Sequence, residues 1–514
     1  MNLDGMRTHG EGGVVDVVVV GTGAGGAPLL AELARRGLSV VALEAGPNFD
    51  DTDFTPDEPA SVRINWMSER LSGGDQPTAF GTNNSGRGVG GSTLHWGAFT
   101  PRPDRRDLRL RTETGQGRDW PIDPEELRRY IERVEADIGV SGPTPYPWDD
   151  SRSYAYAPAS RNTPAELVAR GCDALGIRAT DAPAAVLTRA RVQQGGLERA
   201  ACMGCGACHQ GCRNGAKAST ANTYLPSAVA SGAEIRVEAM VHGIERDASG
   251  RVTAVVYRQG GVDHRQRCRS LVLAAGGVET PRLLLHTGLA NDSGQVGRNF
   301  LAHGATQVWG RFDEPVRGYR GYPSSLISED MLRPRNADFA GGYLMQSLGV
   351  MPLTFATTLA RGGGLWGREL MDRLDQARYM AGIGINAECL PADGNRLELT
   401  DELDEHGVPR AVVTFSAGAN EKAIDRHATD TMVRIMQAAG ARETLVLART
   451  AHTIGTARMS QHPDDGVVDG VGRSHEIPNL WICDNSVFPS ALAANPALTI
   501  MALSLRTADA LLRE

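Results

Sequence analysis

The sequence Val14-Val-Asp-Val-Val-Val-Val20-Gly21-Thr-Gly23-Ala-Gly-Gly26, near the N-terminus, decides the fold of this chain. Its valine-rich run is typical of a strand buried on both faces of a sheet, and it leads directly into the glycines. A helix is predicted over 27–36, and a second strand over 39–43 runs into Glu44. Strand, glycines, helix, strand and a terminal acid together form the fingerprint of a dinucleotide-binding βαβ unit.

Each residue of this fingerprint has an expected physical role. Gly21, Gly23 and Gly26 permit a tight turn and a close approach of the backbone to a ligand, while the helix N-terminus faces the pyrophosphate. Glu44 is expected to accept hydrogen bonds from the ribose hydroxyls. The alternative is a βαβ unit that binds no nucleotide, and Glu44 by itself does not distinguish a flavin from a nicotinamide.

A second glycine-rich loop favours the flavin. It reads Gly86-Arg-Gly-Val-Gly90-Gly91-Ser92-Thr93-Leu-His95-Trp96-Gly97 and begins about forty residues after Glu44. Because glycine lets the backbone approach a ligand closely, a loop of this composition can lie flat against an isoalloxazine ring.

Length and composition narrow the function classes. A chain of 514 residues suggests two or three domains that can be interleaved, and 41% hydrophobic with 22% charged residues is typical of a globular protein. The formal charge of −8, with both signs intermixed, gives no basic stripe and argues against nucleic-acid binding. The first ten residues lack the apolar core of a secretory signal, and no run of about 18 apolar residues occurs. We therefore expect no direct membrane insertion and a cytoplasmic location, or a periplasmic one if a signal-bearing partner exports the chain.

Four of the eight cysteines fall in the segment Cys202-Met-Gly-Cys205-Gly-Ala-Cys208-His-Gln-Gly-Cys212. The spacing C-x2-C-x2-C-x3-C is that of an iron–sulfur loop, although Arg213 stands where ferredoxins commonly have proline. Structural thiols, a disulfide or zinc are the alternatives. Zinc is disfavoured because four cysteines in so short a loop leave no room for a second knuckle.

The remaining pattern predicts an α/β fold in which a Rossmann-like FAD-binding domain is interleaved with an α+β substrate domain built on an antiparallel sheet. Strand-like runs are predicted at 233–241, 270–275, 304–312, 343–349, 379–390, 396–400 and 411–415, and helices at 123–139 and 420–439. The expected domains are 13–140 (first FAD-binding segment), 141–200 (loop or lid and substrate-domain segment), 201–300 (cysteine-rich loop and second FAD-binding segment), 301–447 (substrate-binding) and 448–514 (third FAD-binding segment, with the active-site residues).

The C-terminal segment carries the candidate catalytic residues. His452-Thr-Ile-Gly-Thr-Ala-Arg-Met459 is followed by a strand-like run ending at Asp484 and then by Asn495-Pro496, which precedes a helix. A histidine and an asparagine separated in this way can meet on one face of a cofactor, as a base and its hydrogen-bonding partner. The alternative for His452 is a core histidine on a turn.

On these residues the chain resembles the glucose-methanol-choline (GMC) oxidoreductases, FAD enzymes that oxidise alcohols and sugars, over nearly its whole length. The residues that match the family pattern are Gly21, Gly23, Gly26 and Glu44 for the ADP half, Gly86–Ser92 for the flavin loop, Gly277–Gly288 for the second signature, His452 for the catalytic histidine, and Asp484 with Asn495-Pro496 beside the flavin. Arg87, Gly90, Gly91, Ser92, His95 and Val241 are taken as further cofactor contacts. Two departures are Ser92-Thr-Leu-His-Trp in the first signature and Thr287 in the second.

These departures make the chain more similar to the branch that contains pyranose oxidase and the flavoprotein subunits of bacterial gluconate, fructose and glucose dehydrogenases. In pyranose oxidase the histidine corresponding to His95 is bonded covalently to the flavin. In the dehydrogenase flavoproteins a C-x5-C-x3-C set holds a three-iron cluster, and Cys202, Cys208 and Cys212 match that spacing while Cys205 is additional. The resemblance therefore implies a possible 3Fe-4S or 4Fe-4S cluster.

The resemblance implies oxidation of an alcohol group of a sugar, glycoside or polyol to a ketone, lactone or aldehyde. Neutral His452 would take the hydroxyl proton, Asn495 would hold the alcohol oxygen, and the flavin would take the hydride. Electrons would pass to an external acceptor, such as a haem or quinone-linked partner, with a small subunit as a further partner. The rival hypotheses are an oxygen-using oxidase of the pyranose oxidase type and a non-catalytic flavin/iron–sulfur electron-transfer subunit.

Overall fold

The computed structural model of the chain describes residues 1–10, 12–65, 71–74 and 85–514. In these ranges the strands are β1 (Val14–Val20), β2 (Val40–Leu43), β3 (Leu71–Gly73), β4 (Thr180–Asp181), β5 (Arg191–Val192), β6 (Glu198–Arg199), β7 (Glu234–Arg236), β8 (Met240–Arg246), β9 (Val252–Gln259), β10 (Val262–Leu273), β11 (Phe300–Gly304), β12 (Gln307–Arg311), β13 (Leu326–Ser328), β14 (Tyr343–Leu348), β15 (Met380–Ala387), β16 (Arg396–Leu403), β17 (Pro409–Thr414), β18 (Glu443–Leu447), β19 (Thr450–Gly455) and β20 (Leu480–Ile482). The α-helices are α1 (Gly26–Arg35), α2 (Glu58–Ser61), α3 (Leu110–Thr114), α4 (Pro124–Ile138), α5 (Thr163–Ala174), α6 (Tyr224–Ala230), α7 (Gly276–Thr287), α8 (Pro352–Gly363), α9 (Gly367–Asp375), α10 (Ala419–Ala438) and α11 (Ala497–Leu511).

The valine run forms the centre of a parallel sheet. Strand β1 lies between β2 and β10, with Val17 opposite Val40 on one side and Ser270 on the other. Strands β7 and β20 extend the parallel region, and β9 and β8 continue it antiparallel through the first half of β10. Valines in β1 from Val15 onward are buried because helices cover both faces of such a sheet.

Helices from distant regions of the chain enclose this sheet. Helix α1 packs against α6 and α11, and α11 also packs against α4. Since the sheet takes strands from the beginning, the middle and the end of the chain, the part of the fold built on it is discontinuous in sequence. None of the described helices combines the length and the apolar character needed to cross a lipid bilayer.

The second large sheet is antiparallel and forms the floor of the other half of the molecule. Its order is β18-β12-β15-β14-β13-β4, and β11 joins it through β15 and also pairs with β19. Helices α5 and α10 cover one face of this sheet, and their apolar sides form a separate core with β12, β14 and β15. This confirms the predicted antiparallel sheet backed by helices.

Four predicted strand runs are corrected by the structure. The run 304–312 is two strands, because β11 pairs with β19 whereas β12 pairs with β18, and the chain bends where the partner changes. The run 233–241 divides at Glu238, whose φ of +53° breaks the extended backbone between parallel β7 and antiparallel β8. The runs near 396–400 and 411–415 leave the substrate sheet and form a small sheet with β3.

The segment 141–200, expected as a loop or lid and part of the substrate domain, contributes none of the residues that line the cavity described below. Buried Tyr146 donates a hydrogen bond of 2.5 Å from its hydroxyl to Glu329, and Arg152 approaches the same carboxylate at 3.3 Å. These contacts tie residues 141–164 to the chain after β13. Helix α8, which the sequence pattern did not predict, lies at the cavity described below instead.

Candidate active site

One cavity of about 970 Å³ lies between the two large sheets. Its walls come from the turn after β1, the loop before residue 97, β15, β19, helix α8 and the N-terminus of α11. Ligand pockets commonly measure about 300–1,000 Å³, so this cavity can hold a large cofactor together with a substrate.

The glycine turn after β1 has the geometry that the fingerprint requires. Gly21 has φ of +100°, and a Cβ there would lie 2.5 Å from the carbonyl oxygen of Ala274. A Cβ on Gly26 would lie 2.0 Å from the carbonyl oxygen of Gly21. At Gly23 the nearest atom, the Cα of Gly91, would be 3.7 Å away, so this position faces open space in the cavity. The turn therefore needs glycine for packing at two positions and leaves the third free for a ligand.

Glu44 lines the cavity at the end of β2, where the fingerprint predicts it. Its carboxylate accepts hydrogen bonds from the backbone N–H and hydroxyl of Thr22 and from the N–H groups of Gly46 and Gly88, at 2.7–3.1 Å. Burial raises its pKa, and these donors oppose the rise. Glu44 thus fastens the glycine turn to the flavin loop, and its contact with ribose stays a prediction.

Only some of the residues predicted to contact the cofactor line the cavity. Gly91, Ser92 and His95 line the cavity, as does Val241 at the start of β8. Three other predicted cofactor residues, all within the described ranges, do not line it: Gly26, Arg87 and Gly90. Arg87 turns away because its Nε donates to the carbonyl oxygen of Ala45 at 3.1 Å.

His95 is held in an environment that keeps its imidazole neutral. Its pKa is lowered to about 3, first by burial and then by the positive charge of Lys217 and by His209. Its Nε2 is buried and has no hydrogen-bond partner among the described residues. An unpaired polar atom of this kind is costly, so a ligand in the cavity would relieve it.

Asp484 joins the C-terminal segment to the start of α7. Its carboxylate accepts hydrogen bonds from the N–H of Gly276 at 2.8 Å, the hydroxyl of Thr280 at 2.6 Å and the N–H of Ser486 at 2.8 Å. Burial raises its pKa. Asp484 lines the cavity beside two helix N-termini, which suits an anionic or electron-rich ligand.

His452 and Asn495 both line the same cavity, so two different elements each contribute one of the candidate catalytic residues to its wall. His452 lies within β19 with φ of +63°, a conformation that turns its side chain away from the regular strand direction. Asn495 directly precedes Pro496 at the N-terminus of α11.

Two residues that sequence reasoning missed contact this pair. The Nδ1 of His303, in β11, lies 2.8 Å from the Nδ1 of His452. The side-chain amide of Asn386, in β15, donates to Oδ1 of Asn495 at 3.1 Å. Because β11 pairs with both β15 and β19, the antiparallel sheet places all these side chains together. No local motif marks His303 or Asn386, which lie about 110 to 150 residues from their partners.

The electrostatics of the site favour a neutral imidazole at His452. Burial lowers its pKa well below the ordinary value, and the neighbouring His303 and Arg449 lower it further. Arg449 lines the cavity three residues before His452. A neutral imidazole is the form that can accept a proton.

The four-cysteine segment lies directly behind the flavin loop. Cys202, Cys205, Cys208 and Cys212 all line a second cavity of about 20 Å³. The N–H of Gly204 donates to the sulfur of Cys202 at 3.4 Å, and the N–H of Lys217 donates to that of Cys212 at 3.3 Å. The Lys217 ammonium joins the two loops through the carbonyl oxygens of Leu94, Trp96 and Cys208, at 2.7–3.0 Å.

The two expected cofactors differ in how well these residues fit them. The large cavity, with its glycine turn, buried acid and unpaired His95 nitrogen, fits a flavin dinucleotide. The thiols suit an iron–sulfur cluster in donor type, but no group of three or more His, Cys, Asp or Glu side chains in the described ranges is placed to hold a metal ion, so the structure does not support a cluster. All eight cysteines are free thiols, so the structure forms no disulfide among them.

Known oxidoreductases resemble this chain both in sequence and in structure. Family models described as GMC oxidoreductase match residues 15–305 and 391–504. The fructose dehydrogenase large subunit of Gluconobacter japonicus is 30% identical, over 97% of this chain and 98% of that protein. The 2-methyl-1,2-propanediol dehydrogenase of Mycolicibacterium austroafricanum is 30% identical over 96% and 94%, and the paromamine 6'-oxidase of Streptomyces fradiae 30% over 99% and 93%. Among solved structures, pyridoxine 4-oxidase from Mesorbium loti superposes with a TM-score of 0.68 at 16% identity, over 97% of this chain and 99% of that chain.

Proposed function

Since this chain belongs to the GMC oxidoreductase family, we propose that it uses FAD to oxidise an alcohol group of a sugar, glycoside or polyol to a ketone, lactone or aldehyde. The observation that carries the proposal is that His452 and Asn495 both line the cofactor-sized cavity. When bound, FAD supplies the acceptor for the hydride that leaves the alcohol carbon. The protein has to position the alcohol and remove its proton.

His452 is proposed as the base that takes the hydroxyl proton. Its imidazole is neutral because burial lowers its pKa, so it is ready to accept a proton at neutral pH. The imidazole ring of His452 is hydrogen-bonded to His303 on one side and faces the cavity on the other.

Asn495 is proposed to hold the alcohol oxygen. Its Oδ1 accepts a hydrogen bond from Asn386, and this contact orients the amide so that its NH₂ group is free to donate. An alcohol bound between the two residues would donate its hydroxyl hydrogen to His452 and accept a hydrogen bond from Asn495. Both contacts strengthen as negative charge develops on the oxygen, which is how they would favour the transition state.

The polar lining of the substrate half supports a polyhydroxylated substrate. Gln307, Gln346 and Asn386, from the antiparallel sheet, and Ser324, just before β13, line the cavity. The Oε1 of Gln307 accepts from the indole N–H of Trp309 at 3.0 Å, which leaves its NH₂ group to donate elsewhere. A wall of amides and hydroxyls can match several hydroxyl groups at once, and the fructose dehydrogenase and paromamine oxidase relatives are named for such substrates.

We propose an external acceptor other than oxygen as the destination of the electrons, with a small subunit and a haem or quinone-linked protein as its expected partners. Support comes from the two dehydrogenase relatives, one of them named as a large subunit. The paromamine 6'-oxidase relative favours the alternative, an oxygen-using oxidase. The His452 and Asn495 pair argues against a third possibility, a non-catalytic electron-transfer subunit.

An iron–sulfur cluster on Cys202, Cys205, Cys208 and Cys212 stays a prediction. The shared small cavity and the contact of this segment with the flavin loop favour it, whereas the placement of the thiols in the described structure does not form a metal site. Iron and sulfide analysis after anaerobic purification and reconstitution decides between a cluster and free thiols.

The function is tested by a substrate screen with the FAD-loaded protein. Sugars, glycosides and polyols are each assayed with an artificial electron acceptor under nitrogen and, separately, with oxygen alone. We expect turnover of at least one polyhydroxylated alcohol with the artificial acceptor and much slower turnover with oxygen. Equal rates with oxygen would favour the oxidase, and absence of turnover with any alcohol would contradict the proposal.

A further inference from the structure

The buried His303 connects the backbone carbonyl of Leu492 to His452, which lines the cavity, through two successive hydrogen bonds. The Nε2 of His303 lies 2.7 Å from the carbonyl oxygen of Leu492, and its Nδ1 lies 2.8 Å from the Nδ1 of His452. The two rings are nearly perpendicular, with an interplanar angle of 86° and centroids 4.9 Å apart. The contact is therefore a hydrogen bond between ring nitrogens and not a stacking interaction.

The far end of this chain fixes where each proton lies. A backbone carbonyl only accepts hydrogen bonds, so the Nε2 of His303 carries a hydrogen and donates it to Leu492. His303 is fully buried, and burial lowers its pKa to about 4, so the ring is neutral and its Nδ1 is an acceptor. The Nδ1 of His452 must then carry the hydrogen between the two rings. In a neutral imidazole this leaves the Nε2 of His452 without a hydrogen.

The carbonyl that starts the chain is itself held in place. Leu492 has φ of +65°, which a leucine adopts only when its surroundings enforce it. Its N–H donates to the buried carboxyl of Glu388 at 2.9 Å, and the next residue, Ala493, donates to Asp107 at 3.2 Å. These contacts orient the Leu492 carbonyl toward His303.

We propose that His303 is a positioning residue that holds His452 in the tautomer with its hydrogen on Nδ1, so that the lone pair of Nε2 faces the substrate hydroxyl. The inference rests on the proposed function, because it assigns the atom of His452 that acts as base. In the reaction the O–H bond of the alcohol breaks and an N–H bond forms at Nε2. The alcohol carbon loses its hydrogen with both bonding electrons to FAD, and the C–O bond becomes a carbonyl.

His303 also affects the positively charged imidazolium of His452 that forms when Nε2 takes the proton. Once Nε2 has taken the proton, the Nδ1–H of the His452 imidazolium still donates to the neutral His303 ring, and this bond strengthens as the donor becomes charged. The other charged group near His452 is Arg449, which opposes the imidazolium. His303 therefore offsets some of the cost of charging His452 beside a cation.

A matched pair of variants tests this role. Asparagine and leucine have nearly the same shape, but only asparagine places an acceptor oxygen close to the position of the histidine Nδ1. We expect His303→Leu to lower the limiting rate of flavin reduction by at least about tenfold, since loss of the correct tautomer in other imidazole bases costs much catalysis. His303→Asn should recover to within about threefold of wild type, while the substrate dissociation constant and FAD content stay unchanged in both.

A spectroscopic measurement on the unmodified protein does not depend on the folding of either His303 variant. Histidine labelled with ¹⁵N in both ring nitrogens gives separate signals for protonated and unprotonated nitrogens, and a His452→Ala sample identifies the signals of His452 by difference. We expect a protonated Nδ1 and an unprotonated Nε2. The reverse pattern, or a His303→Leu variant that reduces flavin at the wild-type rate, would overturn the role of His303.

The outcomes separate this inference from the proposed function. If no alcohol reduces the flavin of the wild-type protein, the proposed function fails. If alcohols do reduce it and His452→Ala abolishes the reaction, but His303→Leu and His303→Asn behave alike, the function stands and the positioning role fails.

Discussion

Replacing His452 with alanine removes the proposed base while leaving the nucleotide site intact. The residues proposed to hold FAD, such as Gly21, Glu44 and Asp484, make no hydrogen bond to His452 in the described structure. We therefore expect His452→Ala to purify with normal FAD content. Loss of a general base typically costs about 10²–10⁴-fold in rate, which corresponds to about 3–5 kcal/mol of transition-state stabilisation.

The same substitution has a calculable effect on stability. It leaves Nδ1 of the fully buried His303 without the hydrogen bond that now spans 2.8 Å. An unsatisfied buried polar atom costs about 1–3 kcal/mol, so the free energy of unfolding should fall by about that amount. A suitable control is His427→Ala on α10, which removes a hydrogen bond of the same length, 2.8 Å, to the hydroxyl of Tyr343 in β14; neither residue lines the cavity.

The assay is stopped-flow reduction of the bound flavin by a saturating alcohol without oxygen, with unfolding by urea measured in parallel. His427→Ala should lose stability and keep its rate of flavin reduction, whereas His452→Ala should lose both. If His452→Ala reduced its flavin within about threefold of wild type, the assignment of the base would be refuted.

Four further predictions address other regions of the site. Asn386→Ala should weaken substrate oxidation by about tenfold with little change in FAD content, because it frees the Asn495 amide to rotate, and steady-state kinetics with a flavin assay check this. Acid precipitation tests His95, whose unpaired Nε2 faces the cavity: flavin retained in the pellet indicates a covalent bond, and flavin released entirely to the supernatant excludes it. Cys208→Ser should remove any iron present while leaving flavin reduction by substrate unchanged, and iron-free wild-type protein after anaerobic reconstitution would contradict a cluster at this site. Because burial lowers the pKa of His452 below that of an ordinary imidazole, any loss of the flavin-reduction rate on acidification should have its midpoint below about pH 6.5, and a midpoint at or above that pH in a pH–rate profile would contradict this.

The elements of the fold that could be predicted from sequence are those specified by local pattern. The run from Val14 to Glu44 carries its strand, turn, helix and second strand in consecutive residues, and the structure has each of them within about one or two residues. Asp123 was also predictable as a helix cap, because its side chain and the following proline act within one turn, and it accepts from the N–H groups of Glu125 and Glu126.

The sequence predictions fail where strand pairing or a side-chain contact with a distant residue, and not the local sequence pattern, determines the structure. Residues 304–312 were predicted as one strand, yet β11 and β12 both pair with β15 and then differ in their other partner, which is β19 for β11 and β18 for β12. Arg87 lies inside a glycine-rich loop, but a contact with the carbonyl of Ala45 turns its side chain away from the cavity. Sequence alone does not specify which carbonyl a guanidinium reaches.

The residues of the candidate active site also differ in whether a local sequence pattern predicts them. That His452 and Asn495 line the cavity was predictable because they fall within a recognisable C-terminal pattern, and their catalytic roles stay predictions. His303 and Asn386 were not, because their roles come from the pairing of β11 with β15 and β19, which brings distant residues to one sheet. Supporting residues of this kind become visible only when the strands are assembled.

The most direct test of the proposed mechanism is an anaerobic titration of the FAD-loaded protein with the best alcohol found in the screen. The mechanism predicts that about one equivalent of substrate bleaches one equivalent of flavin and yields one equivalent of the carbonyl product, and that His452→Ala is not bleached on the same timescale although dithionite still reduces it. A wild-type flavin that dithionite reduces but that no sugar, glycoside or polyol bleaches would contradict the mechanism and favour a non-catalytic electron-transfer subunit.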